Sequence, residues 1–266
     1  ISSKVENNVK HFICGSGWKM VNGYQDSIRI ARELQEKLKD FHDYPVVIFP
    51  SFPVIPEITK HLNPDSVVKV GGQDMFWELD GAYTGEVSGQ MLLDIGCRYV
   101  EINHQERRRY LKEDNQMSNR KLKTAVKIGL HPFLCVGEEL KESDEQVQAF
   151  IQKQLEELLD GVSKEEARRI IFAYEPMWAI GKKSTADLSH IQMVHHYIRS
   201  VVASLYGSDV AEAVYIVYGG GVNMETYLDI AALPDVNGLF TTGCGVNAET
   251  YSELAITTAV MLKRMS

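Results

Sequence analysis

The chain has 266 residues, of which 44% are hydrophobic and 24% charged, values that fit a folded globular protein and exclude a disordered one. Its 28 basic and 36 acidic residues give a formal net charge of −8, which argues against a nucleic-acid-binding or anionic-membrane surface. We therefore expect any anionic ligand to be held locally, by a few donors.

The sequence also argues against membrane insertion and secretion. No apolar run approaches the roughly 20 residues that span a bilayer, and residues 1–10 lack the apolar core of a signal peptide. These features predict a cytoplasmic protein.

The residues that commonly bind metals are poorly spaced for that purpose. The four cysteines form no CxxC pair, which argues against a disulfide framework or a metal knuckle and predicts free thiols. They are Cys14, Cys97, Cys135 and Cys244. Three neighbouring histidines lack the i, i+4 spacing of a helical metal pair, so a solvated helix face is the better interpretation. They are His190, His195 and His196.

Short apolar runs recur along the whole chain and predict eight β-strands. They cover residues 11–14, 45–49, 67–70, 99–102, 133–136, 170–174, 214–218 and 239–241. Segments with helical periodicity lie between them, the last three at about 185–206, 224–232 and 248–265. Because continuous apolar strands that alternate with helices indicate a parallel sheet covered on both faces, this order predicts an α/β protein. Eight units favour a single (β/α)8 barrel domain over residues 1–266, with a doubly wound open sheet as the alternative.

A carboxylate stands directly after the sixth predicted strand. Glu175 follows the apolar run, and Pro176 prevents the strand from continuing. Trp178 and Gly181 lie in the next loop, and Ser184 and Thr185 are suitable caps for the helix beyond. An acid beside a loop that can close has the reach and the exclusion of water that a proton-transfer base needs. The alternative is a surface glutamate on an ordinary loop.

Other polar residues follow the first and fourth strands, which a barrel would bring to the same face. Lys19 comes after a glycine-permitted turn at residues 15–17, and His104 and Glu106 come directly after the fourth strand. Each has an ordinary alternative: an exposed lysine, a structural histidine, and a solvated salt bridge between Glu106 and Arg107.

Glycines follow the seventh and eighth strands, at residues 219–221 and at Gly243. Glycine allows backbone N–H groups to converge on an anion, and a following helix adds its dipole. Loops at this position commonly hold phosphate in barrels.

Taken together, these stretches resemble the triosephosphate isomerase family over nearly the whole chain. Residues 173–181, AYEPMWAIG, are similar to the family's AYEPVWAIG; residues 81–88, GAYTGEVS, to GAFTGEVS; and residues 135–138, CVGE, to CIGE. The resemblance implies a (β/α)8 barrel that interconverts D-glyceraldehyde 3-phosphate and dihydroxyacetone phosphate through an enediolate, with no metal or cofactor. It also implies a homodimer in which the loop at residues 81–88 inserts beside the partner's site.

The resemblance also assigns roles to individual residues. It makes Glu175 the base, His104 the electrophile at the substrate oxygens, Lys19 the cation near the enediolate, and Glu106 a polar partner. Binding of the small phosphorylated sugar falls to a second set, which consists of Gly17, Gly181, Gly220, Gly221, Thr242 and Gly243.

The chain departs from the family pattern around these residues. Gly17 replaces the asparagine of NWKM, and Asn103 and Gln105 replace the glycine and serine of GHSER. The lid motif GTGKTA becomes GKKSTA at residues 181–186.

The phosphate loops are also altered. Gly221 replaces the serine of YGGS, and Thr242 stands where VGG has a glycine. A side chain at Thr242 would crowd or shift the phosphate, whereas Gly17 and Gly221 would open space. Two alternatives therefore stay open: an isomerase of a tetrulose phosphate such as erythrulose phosphate, and a catalytically silent barrel that binds a phosphosugar.

Overall fold

The computed structural model describes residues 8–181 and 185–266. Eight parallel strands form a closed barrel in chain order, with β1 hydrogen-bonded to both β2 and β8. The strands are β1 (Ile13–Gly17), β2 (Val46–Phe49), β3 (Val68–Gly72), β4 (Tyr99–Ile102), β5 (His131–Val136), β6 (Ile171–Tyr174), β7 (Tyr215–Tyr218) and β8 (Gly238–Thr241). The prediction of a (β/α)8 barrel is confirmed, and the open-sheet alternative is wrong.

Helices connect successive strands and cover the outside of the barrel. In the described part of the chain they are α1 (Tyr24–Lys37), α2 (Ile55–His61), α3 (Gly89–Asp94), α4 (Gln105–Leu111), α5 (Asn115–Ile128), α6 (Asp144–Leu158), α7 (Lys164–Ala167), α8 (Leu188–Tyr206), α9 (Ser208–Ala213), α10 (Tyr227–Ala231) and α11 (Ala248–Met265). Two short 3-10 helices lie at Phe52–Val54 and Met177–Ala179. Within residues 8–181 and 185–266, no helix is both long and apolar enough to cross a membrane.

The hydrophobic core has two layers, one inside the barrel and one between the sheet and the helices. In β2, Val47 and Phe49 point into the barrel, whereas Val46 and Ile48 face the helices. All four are fully buried. Because both faces of each strand are covered, the strands read as continuous apolar runs.

Two strands extend further at their C-terminal ends than the sequence predicts, and both end in glycine. β1 continues through Gly17 and β3 through Gly72. A Cβ atom at Gly15 would lie 2.7 Å from the ring of Phe133 inside the barrel, so glycine makes room there for an aromatic ring. The predicted turn at residues 15–17 is therefore wrong, and the left-handed turn residue is Lys19, with φ 51°.

The helix after the lid also begins later than predicted. It starts at Leu188 with Asp187 at the N-cap, whereas the hydroxyl of Thr185 lies 2.7 Å from that of Tyr218. Thr185 is therefore not the cap, because its side chain bonds to β7 instead. The other predicted cap, Ser184, lies outside the described residues.

The prediction for the cysteines is confirmed, whereas that for the histidines is only partly right. All four cysteines are buried and free, as predicted. The solvated-face interpretation holds for His196, with a side chain 72% exposed, and is wrong for His195, which is fully buried. Burial lowers the pKa of His195 to about 4, and its Nδ1 lies 3.0 Å from the carbonyl oxygen of Asp235. In the described ranges, no group of three or more His, Cys, Asp or Glu residues is placed to hold a metal ion.

Candidate active site

A pocket of about 680 Å³ opens at the C-terminal ends of the barrel strands. Eight of the ten residues that the sequence predicts for the site line it, and they come from the ends of β1, β4, β6, β7 and β8. They are Gly17, Lys19, His104, Glu175, Gly181, Gly221, Thr242 and Gly243. The structure thus brings residues from distant parts of the chain into one cavity.

The Glu175 side chain is buried in this pocket, with 5% of the residue exposed. Its backbone N–H donates to the carbonyl of Val136 at 2.8 Å, which fixes the residue at the barrel mouth. Burial raises the pKa of the carboxyl, although the nearby His104 and Lys19 counteract this. Its Oε2 atom has no hydrogen-bond partner among the described residues. A desolvated carboxylate with one oxygen free of hydrogen bonds is a stronger base than one in water.

His104 presents one ring nitrogen to this carboxylate. It occupies the N-cap of α4, where its Nδ1 accepts a hydrogen bond from the Glu106 N–H at 3.2 Å. Because Nδ1 accepts, the ring is neutral and its proton is on Nε2. Nε2 lies 3.7 Å from Oε2 of Glu175, so an N–H donor and a carboxylate face each other in the pocket.

Lys19 supplies a positive charge to the site. Its Nζ lies 2.7 Å from Oε1 of Glu106. Its carbonyl accepts hydrogen bonds from Ser51 at 3.0 Å and Gln73 at 2.8 Å, which hold the left-handed backbone in place. Glu106 does not line the pocket but positions the ammonium group that does.

The base of the lid is fixed by a polar cluster around Glu138, which is 1% exposed. Trp178 donates its indole N–H to Glu138 at 2.9 Å, and the Tyr174 hydroxyl donates to the same carboxylate at 2.8 Å. His190 Nε2 lies 3.0 Å from that hydroxyl. The loop that follows Glu175 is therefore anchored where it leaves the barrel.

Comparison with known proteins agrees with this geometry. The family model described as triosephosphate isomerase matches residues 12–258. The chain belongs to this family. It is 39% identical to the triosephosphate isomerase of Carboxydothermus hydrogenoformans over 88% of this chain and 93% of that protein. It is 40% identical to that of Clostridium tetani over 87% of this chain and 90% of that protein, and 37% identical to that of Dictyoglomus thermophilum over 87% and 93%.

One departure from the family pattern, Asn103, is held in place by hydrogen bonds. Asn103 replaces the glycine of GHSER and adopts a left-handed conformation with φ 66°, which asparagine tolerates better than most residues. Its amide donates to the carbonyl of Cys135 at 2.8 Å and accepts from Arg108 at 2.8 Å and Ser118 at 2.9 Å. These hydrogen bonds stabilise a conformation that a side chain otherwise disfavours.

The glycines expected to bind phosphate do not all lie in the pocket. Gly181 and Gly221 have positive φ values of 73° and 100°, and both line the cavity with Gly243. Gly220 does not line the cavity. It packs against the Tyr218 hydroxyl and Pro176, so closely that a Cβ atom there would clash with both. The two lysines of the altered lid, residues 182 and 183, lie outside the described residues. Crowding of phosphate by Thr242 stays a prediction.

The sequence prediction missed one charged residue of the pocket floor, Glu101 in β4. The space at Gly17 is not empty, since a Cβ atom there would lie 2.8 Å from Oε1 of Glu101. The sequence feature that could have predicted Glu101 as a pocket residue is its position as the only acid in the otherwise apolar run of residues 99–102. The other lining residues that were missed are Gln105, Ile180, Gly219, Val222, Asn223, Met224, Glu225, Phe240 and Thr241.

Proposed function

We propose that this chain is an isomerase that interconverts D-glyceraldehyde 3-phosphate and dihydroxyacetone phosphate. The observation that carries the proposal is the buried, unpartnered Oε2 of Glu175, which faces the Nε2–H of His104 at 3.7 Å. An enediolate needs a base at carbon, donors at both oxygens and a dry site. The family membership supports the same reaction.

In the proposed reaction, Glu175 removes a proton from the substrate carbon next to the carbonyl. The resulting negative charge develops on the carbonyl oxygen, where the N–H of His104 and the ammonium of Lys19 stabilise it. Glu175, now protonated, returns the proton to the neighbouring carbon, while a proton moves between the two oxygens by way of the imidazole. The carboxylate is regenerated, so the cycle consumes no co-reactant.

The phosphate group would lie at the glycine-lined side of the pocket. Three glycines lie there, Gly181, Gly221 and Gly243. Because glycine has no side chain, an anion can approach its backbone N–H group closely, as phosphate does in P-loops and similar sites. A locally held anion also fits a chain whose formal net charge is −8.

The test is turnover of purified protein on D-glyceraldehyde 3-phosphate, with Glu175→Gln beside it. General-base catalysis contributes about 10²- to 10⁴-fold, so we expect kcat to fall by at least that much in the variant. Glu253→Gln, on the exposed face of α11, serves as the matched control and should keep the wild-type rate. Equal rates in Glu175→Gln and wild type would refute the proposal.

The two alternatives are not favoured by the comparisons, because the relatives reported above all carry the name triosephosphate isomerase. The same assay run on erythrulose phosphate separates them. A preference for the four-carbon substrate would contradict the proposed substrate, and absence of turnover on either would contradict the proposed activity.

We also propose that the chain is one domain and forms a homodimer through the loop at residues 81–88. Tyr83 in this loop is 44% exposed, and the neighbouring Leu79 is 43% exposed, so both leave apolar surface for a partner to cover. Sedimentation analysis tests the dimer, and Tyr83→Asp should shift the protein toward the monomer.

Four free cysteines support a reducing compartment such as the cytoplasm.

A further inference from the structure

Glu101 places a carboxyl group next to the hydrophobic residues of the barrel interior. It comes from β4, is 6% exposed, and lies on the same side of the sheet as Phe240. The hydrophobic residues buried in the inner core include Phe49 and Phe133. Unlike Phe49 and Phe133, Glu101 lines the pocket that holds Glu175 and His104. Its carboxyl therefore borders both the apolar core and the space for substrate.

The carboxyl is also incompletely hydrogen-bonded. Oε1 of Glu101 is buried and has no hydrogen-bond partner in the parts of the chain that the structure describes. Burying an unpartnered polar group is destabilising in proteins, so an apolar residue here would make the fold more stable. A costly polar group at the floor of a pocket is typical of a functional site.

The surrounding backbone makes room for this carboxyl. Because a Cβ atom at Gly17 would lie 2.8 Å from Oε1, any side chain at residue 17 would push the carboxyl away from its place in the pocket. The glycine in β1 and the acid in β4 are therefore a matched pair, brought together across the barrel interior by strands that are not adjacent.

The charge around Glu101 determines what kind of partner it can bind. Burial is the main cause that raises its pKa well above the ordinary value, and the carboxylates of Glu175 and Glu106 raise it further. A carboxyl that keeps its proton offers one O–H donor and a carbonyl acceptor. Such a group suits an oxygen that gains negative charge, as a neutral carboxylic acid does in other oxyanion sites.

We propose that Glu101 is a substrate-contacting residue, whose carboxyl group forms a hydrogen bond with a hydroxyl or carbonyl oxygen of the bound sugar phosphate. The inference rests on the proposed function and deepens it, since it adds a donor to the oxygen-binding groups of the same pocket. Glu101 moves no proton between carbons. It holds the carbon chain from the floor of the pocket, where its carboxyl occupies the space beside Gly17.

The test compares Glu101→Leu, which removes the hydrogen bond, with Glu101→Gln, which keeps one donor and one acceptor. We expect kcat/KM of the leucine variant to fall by about 10- to 100-fold, as for loss of a strong hydrogen bond. The glutamine variant should recover about tenfold of this loss. Val47→Ala, inside the barrel but not in the pocket, controls for perturbation of the core and should keep kcat/KM close to wild type.

A leucine variant with wild-type kcat and KM would overturn the proposal, and so would a glutamine variant as impaired as the leucine one. Wild-type protein that does not turn over triose phosphate would refute the proposed function alone. Infrared difference spectra test the role of Glu101 independently of turnover. They also test it if the leucine variant does not fold. On addition of dihydroxyacetone phosphate, wild type should show a shifted carboxylic acid C=O band that Glu101→Gln lacks, and absence of such a band from wild type would overturn the proposal.

Discussion

Replacing Glu101 by leucine should stabilise the protein, and the gain should grow with pH. The leucine removes a buried carboxyl whose Oε1 has no hydrogen-bond partner among residues 8–181 and 185–266. It fills the same interior position with apolar atoms. The substitution thus trades a site residue for stability, as functional polar residues in cores commonly do.

The pH dependence follows from where the proton is held. In the folded protein, burial and neighbouring carboxylates raise the pKa of Glu101 well above 4.5, whereas the unfolded chain ionises near that value. Between the two pKa values the folded state binds the proton that the unfolded state has released, so the stability of the wild type falls as pH rises. For one group the slope is about 1.4 kcal/mol per pH unit.

The leucine variant lacks this loss, so its advantage over wild type should widen with pH and level off once pH passes the folded pKa. Over two pH units inside that window, the free energy of unfolding should separate by about 2.7 kcal/mol. Glu175, whose pKa is also raised by burial, is present in both proteins.

Urea unfolding at a series of pH values above 4.5 measures this difference, with protein concentration held constant because an oligomer would make the stability depend on it. Glu253→Leu, an exposed site on α11, is the matched control and should show no change of its effect with pH. An advantage of Glu101→Leu that is independent of pH would refute the reasoning, because it would mean that folding leaves the pKa of Glu101 unchanged.

Three other substitutions test the surroundings of the site. Asn103→Ala should lower the free energy of unfolding by about 2–4 kcal/mol, since alanine keeps the left-handed strain and loses buried hydrogen bonds; Asn103→Gly, which removes the strain, should cost less in the same urea titration. Lys121→Met removes one of the two cations paired with the buried Asp74, the other being Arg107, and should cost about 1–3 kcal/mol; an unchanged free energy of unfolding would contradict this. Trp178→Phe removes the 2.9 Å hydrogen bond to Glu138 and should raise KM while the free energy of unfolding changes by only about 1 kcal/mol; unchanged KM would mean that the bond does not hold the lid.

Much of the fold and the central part of the site follow from local sequence. The eight strands are visible as apolar runs because each is buried on both faces, and chain order then brings their ends to one rim. Glu175 could be predicted because Pro176 ends its strand next to it, and His104 because it directly follows β4. These signals lie within a few residues of the atoms that they explain.

The tertiary structure decided what depends on packing across the barrel. β1 runs through Gly15 because that glycine accommodates the ring of Phe133 from the opposite side, a neighbour that no local pattern reveals. His195 is buried rather than solvated because its ring meets the carbonyl of Asp235.

Glu101 is the clearest case. Successive side chains of β4 point to opposite faces of the sheet. Only barrel closure determines that Glu101 faces the pocket and that Gly17 lies against it. The sequence by itself therefore determined the order of strands and the residues at their ends, since these depend on local burial and backbone chemistry. The closed barrel decided which side chains share the floor of the pocket, because that contact exists only after residues distant in the chain have packed together.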